Sequence, residues 1–313
     1  MKVLLTGPFG NVGSAVRREI ADRGHTVRPF DLPTKRNRAV ARKAQLDVEW
    51  GDIRNAADVK RAVAGVDVVI HLAAIIPPGS LRDPALAEAV NVGGTTNVIE
   101  ACKASPSPPR IVFASSLALF GPTQHLEPPR TLADPIVPTD DYTRHKAKCE
   151  ELLRGSGLDV AILRLGAVIP IDVLGVLDPL MFEVPLDDRI EFVHPWDVGL
   201  AIVTAIESDE VWGNTYLIGG GPRCQVLQRE IIRKPLEALG IGMLPERAFG
   251  TTPFHTDWLD TTESQRVLGF QRYDFDDCVR HMLEFVGWRR PFVRWARPIA
   301  RWKLLRTSPY YRA

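Results

Sequence analysis

Short apolar runs alternate with stretches of helical spacing along the first half of the chain. Lys2–Thr6 and Thr26–Phe30 predict strands with a helix over Asn11–Arg23 between them, and Leu46–Glu49 predicts a third strand. Asn55 is placed to cap a helix over Ala56–Ala64. Asp67–Leu72 predicts a buried strand, its Val-Val-Ile run flanked by polar residues. Asp83-Pro84 opens a long helix to about Lys103, with Asp as N-cap and Pro in the first turn. Arg110–Ser115 and Asp159–Arg164 predict strands on either side of a helix over Asp140–Arg154. Such alternation predicts an α/β fold, a doubly wound parallel sheet with helices on both faces.

After Arg164 the spacing loosens. Arg189–Val193 and Asn214–Ile218 predict strands, and Pro195–Glu207, Gln225–Leu239, Thr262–Leu268 and Phe275–Val286 predict helices. The expected division is a regular domain over 1–165, a smaller lobe over 166–285 partly interleaved with it, and a tail over 286–313. The Pro-rich stretches Pro77–Pro84, Pro106–Pro109 and Pro122–Pro138 fall inside the first domain and read as loops, not linkers.

The 313 residues are 45% hydrophobic and 25% charged, with 39 Lys+Arg against 38 Asp+Glu. This is the balance of a folded protein and gives no basis for nucleic acid as the main partner. The longest apolar stretch, Val66–Ile76, contains Asp67 and His71, so no spanning helix is expected, nor is a secretory leader. Cys102, Cys149, Cys224 and Cys278 are widely separated and form no C-x-x-C, which reads as buried thiols in a reducing, cytoplasmic compartment.

Candidate chemistry begins right after the first strand, at Thr6-Gly7-Pro8-Phe9-Gly10-Asn11-Val12-Gly13. In a strand-to-helix turn the first glycine allows the tight bend, the second lets backbone approach a pyrophosphate, and the third lets the helix pack on the strand. Helix N–H groups then face the phosphates. Asp31 ends the second strand 24 residues after Gly7, placed for the adenosine ribose hydroxyls and unfavourable to a 2′-phosphate. NAD is therefore the expected cofactor. Lys35, Arg36 and Arg38 follow as a solvated basic loop or a phosphate clamp, which keeps NADP open.

Tyr142 and Lys146 lie four apart, hence on one face of the Asp140–Arg154 helix. A lysine one turn away is expected to lower the phenol pKa, as an acid/base on a secondary alcohol requires. Ser116 follows a predicted strand at its C-terminal end, where doubly wound sheets bind ligands, and could hold the substrate oxygen.

At this point the chain resembles an extended short-chain dehydrogenase/reductase of the NAD-dependent epimerase/dehydratase family. Besides the glycine turn and Asp31, the resemblance is carried by G-D-I at Gly51–Ile53, H-L-A-A at His71–Ala74 and N-V-G-G-T at Asn91–Thr95. It continues with V-F-A-S-S-L-A-L-F-G at Val112–Gly121, Y-T-R-H-K at Tyr142–Lys146, L-R-L-G-A-V at Leu163–Val168 and F-V-H-P-W-D-V at Phe192–Val198, covering roughly 1–285. It implies a Rossmann-type NAD-binding domain and a C-terminal substrate lobe. Ser116, Tyr142 and Lys146 would be the catalytic trio, with Lys146 also holding ribose. Asp52 and Ile53 would meet adenine, Leu72, Ala73 and Ala74 would line the cofactor, and Asn91 would sit beneath it. Leu165 to Val168 would border the nicotinamide. Family habit also implies a homodimer.

Departures from the family pattern narrow the reaction. Dehydratases of this family carry an Asp-Glu pair where this chain has Leu117-Ala118, so dehydration is disfavoured. Nucleotide-sugar enzymes often place Asn at the position of Ala167 and run a long segment before the F-V-H-P-W-D-V stretch. Between Val168 and Phe192 this chain has one basic residue, Arg189, a poor match for two phosphates. The leading expectation is reversible hydride transfer at a secondary alcohol or ketone of a small or apolar substrate. A sugar epimerase is the second reading, and a non-catalytic dinucleotide sensor the third. His71 and His194 read as framework residues, Asp197 as support for a helix start, and no residue cluster has metal-ligand spacing.

The near-neutral net charge hides an asymmetry. From Phe285 onward there are eight basic residues (Arg289, Arg290, Arg294, Arg297, Arg301, Lys303, Arg306, Arg312) and no acid, so the preceding 284 residues carry −7. Helical spacing would put Trp288, Phe292, Trp295, Ile299, Trp302 and Leu305 on one face and Arg294, Arg297 and Arg301 on another, with Pro298 interrupting a straight helix. Two readings stay open: an arm packing its aromatics on the body or on a second subunit, and an interfacial segment at the periphery of an anionic membrane.

Overall fold

The computed structural model describes residues 1–21, 23–171 and 179–311. In chain order come β1 (Lys2–Thr6), α1 (Asn11–Ile20), β2 (Thr26–Asp31), α2 (Lys35–Lys43), β3 (Glu49–Trp50), α3 (Ala56–Val63) and β4 (Val68–His71). Two short helices, α4 (Gly79–Arg82) and α5 (Pro84–Glu88), lead through a π-helical turn over Ala89–Gly93 into α6 (Gly94–Lys103). Next are β5 (Arg110–Ser116), α7 (Asp141–Arg154), β6 (Val160–Leu165), β7 (Arg189–Glu191), α8 (Pro195–Glu207) and β8 (Thr215–Ile218). The chain ends with β9 (Gln225–Leu227), α9 (Gln228–Ala238), α10 (Thr262–Leu268), α11 (Phe275–Val286), α12 (Arg290–Trp295) and α13 (Arg297–Thr307).

Among the described residues, seven parallel strands form one sheet in the order β3-β2-β1-β4-β5-β6-β8. The order runs one way from β1 through β2 to β3 and the other way from β4 onward, so the C-terminal ends of β1 and β4 flank the switch point. Helices cover both faces. On one face α1 and α8 press together so closely that a Cβ on Gly199 would lie 2.7 Å from the Ala15 backbone. On the other face α3, α6 and α7 bury Val59, Val98, Ile99 and Leu153 against Leu4, Val69, Ile111 and Ile162. A third core, around Phe182, Ile190, Ile232, Leu236, Phe275 and Met282, belongs to the C-terminal lobe.

Local chemistry accounts for the helix starts. Asn55 accepts from the Ala57 and Asp58 amides, Asp83 from Leu86, and Asp140 forms a reciprocal capping box with Thr143. Three expectations change. Lys35, Arg36 and Arg38 lie on a helix, α2, which Thr34 caps through the Asn37 amide at 3.0 Å, and not on a loop. The third strand is Glu49–Trp50. The segment Gln225–Leu227 is not helix but pairs antiparallel with β7, outside the main sheet, while β8 joins that sheet beside β6. Asp197 lies in the first turn of α8, as expected, while His194 caps that helix through the Trp196 amide; the Asp197 carboxylate also accepts from the Arg272 and Tyr273 amides and Arg272 Nε, each at 3.0 Å.

One buried ion cluster ties α7 to the sheet. Glu150, fully buried, accepts from Ser115 Oγ (2.6 Å), Arg164 Nε and Nη2 (3.0 and 2.8 Å) and Arg154 Nη2 (2.8 Å). Burial pushes this carboxyl up, but its arginine and serine partners hold it below the usual carboxylate range. Glu150→Gln would leave the buried Arg164 guanidinium without its counter-charge, a loss of about 3–5 kcal/mol. Denaturant unfolding should show a lower midpoint at unchanged slope. In the unsubstituted protein this contribution is present at neutral pH and fades as pH falls through the depressed folded pKa.

Candidate active site

The turn after β1 is built for close approach. Gly7 adopts φ +68, and a Cβ there would meet the Ala73 amide nitrogen at 3.1 Å. A Cβ on Gly13 would lie 2.1 Å from the Gly7 carbonyl oxygen and 2.9 Å from Pro8 backbone, so only glycine fits. Gly10 is the N-cap of α1, no side chain caps that helix, and its first turn holds no acid. Its leading amides therefore point into the cleft as anion donors. Asn11 Nδ2 donates to the Val168 carbonyl at 3.3 Å, fastening this turn to the chain leaving β6.

Behind the turn a polar relay sets the path after β4. Thr6 Oγ1 accepts from the Leu72 and Ala73 amides, both at 3.1 Å, and lies 2.9 Å from His71 Nδ1. His71 Nε2 lies 3.0 Å from Thr95 Oγ1, which donates to the Asn91 carbonyl at 2.5 Å. One donor order satisfies every group: Thr6 to His71 Nδ1, His71 Nε2–H to Thr95, Thr95 to Asn91. Burial, helped by the Lys146 charge, pushes His71 down to about 3, so the ring is neutral. Asn91 itself grips the Ile75 backbone, accepting from its amide at 2.7 Å and donating to its carbonyl at 2.9 Å.

Ser116, Tyr142 and Lys146 converge on the same cleft. Ser116 ends β5 and accepts from the Ala118 amide at 3.2 Å, while its neighbour Ser115 is held by Glu150. Ser116 pulls the Tyr142 phenol pKa down, which places the two side chains beside each other. Lys146 Nζ, buried, donates to the Ala114 carbonyl at 2.5 Å and lies 4.6 Å from the Phe113 ring centre and 5.9 Å from that of Tyr142. Burial pulls Lys146 down to about 8. It pushes Tyr142 up to about 12, with Ser116 pulling the other way. The sequence expectation that Lys146 lowers the Tyr142 pKa is not met here: desolvation of the phenol dominates, and the ammonium is turned toward Ala114.

A cavity of about 510 Å³ joins these parts. Gly7, Gly10, Asn11, Val12, Gly13, Leu72, Ala74, Ser116, Tyr142, Lys146, Leu165 and Val168 all border it. Its far wall is apolar, made by Ile169, Met181, Ile231, Ile232, Phe275 and Met282 of the lobe. Among the described lining residues, Lys146 is the one cation and Gln228 the one polar side chain on the lobe side. Gln228 is buried, its Nε2 donates to the Met181 carbonyl, and its Oε1 has no partner among the described residues. Arg189 is not aimed at the cavity: it holds Asp257 (2.6 Å from Nε) and the Leu126 carbonyl (2.9 Å).

Six residues singled out in the sequence do not border this cavity: Phe9, Asp31, Asp52, Ile53, Ala73 and Asn91. Asp31 sits at the end of β2, half-buried, where burial raises its pKa against the Leu32 amide and Arg36. Beside it Phe9 stacks on Trp50 (6.0 Å between ring centres), and Arg38 covers Trp50 at 5.3 Å. The Asp52 carboxylate is engaged by Arg54, and the Ile53 carbonyl accepts from Asn97 at 2.9 Å. Trp50, Gln228 and the apolar lobe wall carry no motif. Their positions follow ordinary strand or helix spacing, which does not separate a cavity-lining apolar residue from a core one.

A glycine turn, a Ser/Tyr/Lys set and a cleft at the switch point of a parallel sheet together define an extended short-chain dehydrogenase/reductase. The model of the NAD dependent epimerase/dehydratase family matches residues 3–170, and the chain belongs to that family. The chain is 32% identical over 255 residues to sterol demethylase protein B of Methylococcus capsulatus, covering 79% of this chain and 68% of that protein. It is 30% identical over 188 residues to a 3-beta-hydroxysteroid dehydrogenase of Mycolicibacterium neoaurum, covering 58% of this chain and 50% of that protein. It spans about half the length of several curated relatives that it matches. Among solved structures, a short-chain dehydrogenase/reductase superfamily protein from Agrobacterium tumefaciens with bound NAD superposes with a TM-score of 0.76 at 21% identity, covering 96% of this chain and all of that one. The Thermus thermophilus UDP-glucose 4-epimerase in complex with NAD gives 0.74 at 24%, covering 91% and 98%. These two likenesses show a shared fold.

The Ser116 contact is testable in solution. Ser116→Ala removes the hydroxyl that pulls the phenol down, so the Tyr142 pKa is expected to rise further. Ultraviolet titration measures it, with Tyr142→Phe subtracted from each protein to isolate this phenol. An unchanged curve would show that Ser116 does not hold Tyr142.

Proposed function

We propose that the protein is an NAD-dependent dehydrogenase acting reversibly on a secondary alcohol or ketone of a bulky apolar, steroid-like substrate. The observation that carries the substrate class is the lobe wall: Ile169, Met181, Ile231, Ile232, Phe275 and Met282 face the cleft, and among the described lining residues Lys146 is the sole cation. Two phosphates placed there would lack compensation, whereas an apolar ring system loses only its contact with water. The chain from Gly166 to Asp188 contains no Lys or Arg, and Arg189 is committed to Asp257. The names of the Methylococcus and Mycolicibacterium relatives point the same way.

The residues present fit the dinucleotide. Gly7 and Gly13 leave the space that a Cβ would fill, and the amides opening α1 would hold the pyrophosphate. Asp31 would hold the adenosine ribose, with Phe9 and Trp50 beside it, and Lys146 the nicotinamide ribose. When bound, NAD supplies the hydride acceptor. In alcohol oxidation the Tyr142 oxygen takes the hydroxyl proton while Ser116 Oγ holds the same oxygen in place, and in ketone reduction Tyr142 returns the proton. A phenol pushed up to about 12 is protonated at neutral pH, a state ready for reduction. Leu117 and Ala118 offer no group for the proton transfers of an elimination.

The deciding experiment incubates the protein with NAD and either a 3β-hydroxysteroid or UDP-glucose, following reduced cofactor and sugar configuration. Steroid-dependent NADH formation is expected, with no change to UDP-glucose. Epimerised sugar without net reduction would overturn the reading. Tyr142→Phe should lose about 10²–10⁴-fold in turnover while still binding NAD. Gly13→Ala should instead lose NAD binding in a fluorescence titration. The oxidation rate should climb with pH through the alkaline range as phenolate forms, and the reduction rate should stay level until then.

A further inference from the structure

The C-terminal segment turns out opposite to a simple arm. Pro291 and Pro298 each start a helix, so the segment bends at Ala296 and is not one rod. Its side toward the body is not the aromatic one. Val293, Ala300 and Leu304 pack on the lobe core, and Leu305, expected beside the tryptophans, is half-buried with them. The arginines do the anchoring. Arg301 Nη1 donates to the Ile241, Gly242 and Met243 carbonyls (3.1, 2.8 and 2.8 Å), Arg297 Nε to Ile241 (3.1 Å) and Arg290 Nε to Ala238 (3.1 Å). These are carbonyls at and just beyond the C-terminus of α9, where a cation is favoured.

Arg290, Arg297 and Arg301 reach the body through their guanidinium groups while the aromatics stay outside. Trp288 is 76% exposed, Trp295 84% and Trp302 58%, with Phe285, Phe292 and Ile299 exposed between them. They follow one another along the chain at intervals of three and four residues as a row of exposed apolar side chains, a ridge in which Trp288 and Phe292 meet edge to face. Arg289, Lys303 and Arg306 are exposed beside it, and among the described residues none of them has an ion pair. Glu284 is the last carboxylate side chain in the sequence. Arg312 adds another cation but lies outside the described residues.

We infer that this ridge is a docking surface for an anionic lipid bilayer, on which α12 and α13 lie in the plane of the headgroups. Charge selects this occupant. A symmetric contact with a second copy would set a cationic segment that carries no acid of its own against itself. A bilayer carrying anionic lipid neutralises that charge and accepts the tryptophans at its interface. No described helix is long and apolar enough to cross a membrane, so the ridge lies on the surface and does not span. Its place in the fold fits: α11, which presents Phe275 and Met282 to the cleft, ends in the exposed Phe285 and leads directly into the ridge.

Co-sedimentation of the full chain with vesicles tests this, using phosphatidylcholine alone and phosphatidylcholine with one third phosphatidylserine. Expected are pelleting with the mixed vesicles, weakening as salt is raised, and quenching of tryptophan emission by brominated acyl chains. The variant Trp288→Ser/Trp295→Ser/Trp302→Ser should bind at least tenfold less. Its unfolding midpoint should be unchanged, because these side chains touch little of the body. Lys303→Glu/Arg306→Glu should lose the preference for phosphatidylserine. The proposal is overturned by wild-type protein that stays in the supernatant, by vesicle binding that survives in the tryptophan variant, or by a vesicle-free dimer that this variant abolishes. None of these readouts depends on the substrate.

Discussion

A carboxylate taken wholly out of water holds the candidate site together. Glu150 is fully buried and survives as an anion because Arg164 on β6, Ser115 on β5 and Arg154 on its own helix all point at it. That cluster seats α7 on two adjacent strands. Lys146 and Tyr142 lie one and two turns before Glu150, so their position over Ser116 follows from how that charge seats the helix. A charge this deep has few alternative placements, and that makes the geometry specific as well as stable.

The cofactor side of the cleft relies on a different device. There backbone runs against backbone: Gly13 on Gly7, Gly7 on Ala73, Gly199 on Ala15. The Thr6–His71–Thr95 relay supplies partners to the amides of residues 72 and 73 that such close packing leaves without strand partners. On the substrate side the wall is made by separate lobe elements, chiefly α9 and α11, and its chemistry is almost purely apolar. One cleft thus carries two solvents: a polar, amide-lined half suited to phosphate and ribose, and a dry half suited to a ring system. Gln228 Oε1 is the exception in the dry half, a buried acceptor without a partner among the described residues.

Membership of the family and the doubly wound sheet were legible in the sequence because their signals are local. Glycine spacing, Asp and Asn caps, Pro at helix starts and the buried strand runs each act within a few residues, where sterics and backbone hydrogen bonding decide the outcome. Ser116, Tyr142 and Lys146 could be named for the same reason. The misjudged pieces were those whose surroundings come from elsewhere in the chain. Gln225–Leu227 has residues that would suit a helix, yet pairing with β7 satisfies its backbone as a strand. The basic run from Lys35 is the exception: the Thr34 cap that starts its helix is a local signal.

Two properties were decided by tertiary structure alone. Tyr142 and Lys146 share a helix face by spacing, but their proton affinities follow from the layers that close over them, which desolvate the phenol and the ammonium and turn the lysine toward Ala114. The tail shows the same principle at the surface. Its sequence determined that aromatic and basic residues would occupy different sides of the segment. Which side faces the body was decided by tertiary packing: Leu304 is buried in the lobe core, Arg297 and Arg301 donate to carbonyls just beyond the end of α9, and the tryptophans stay exposed.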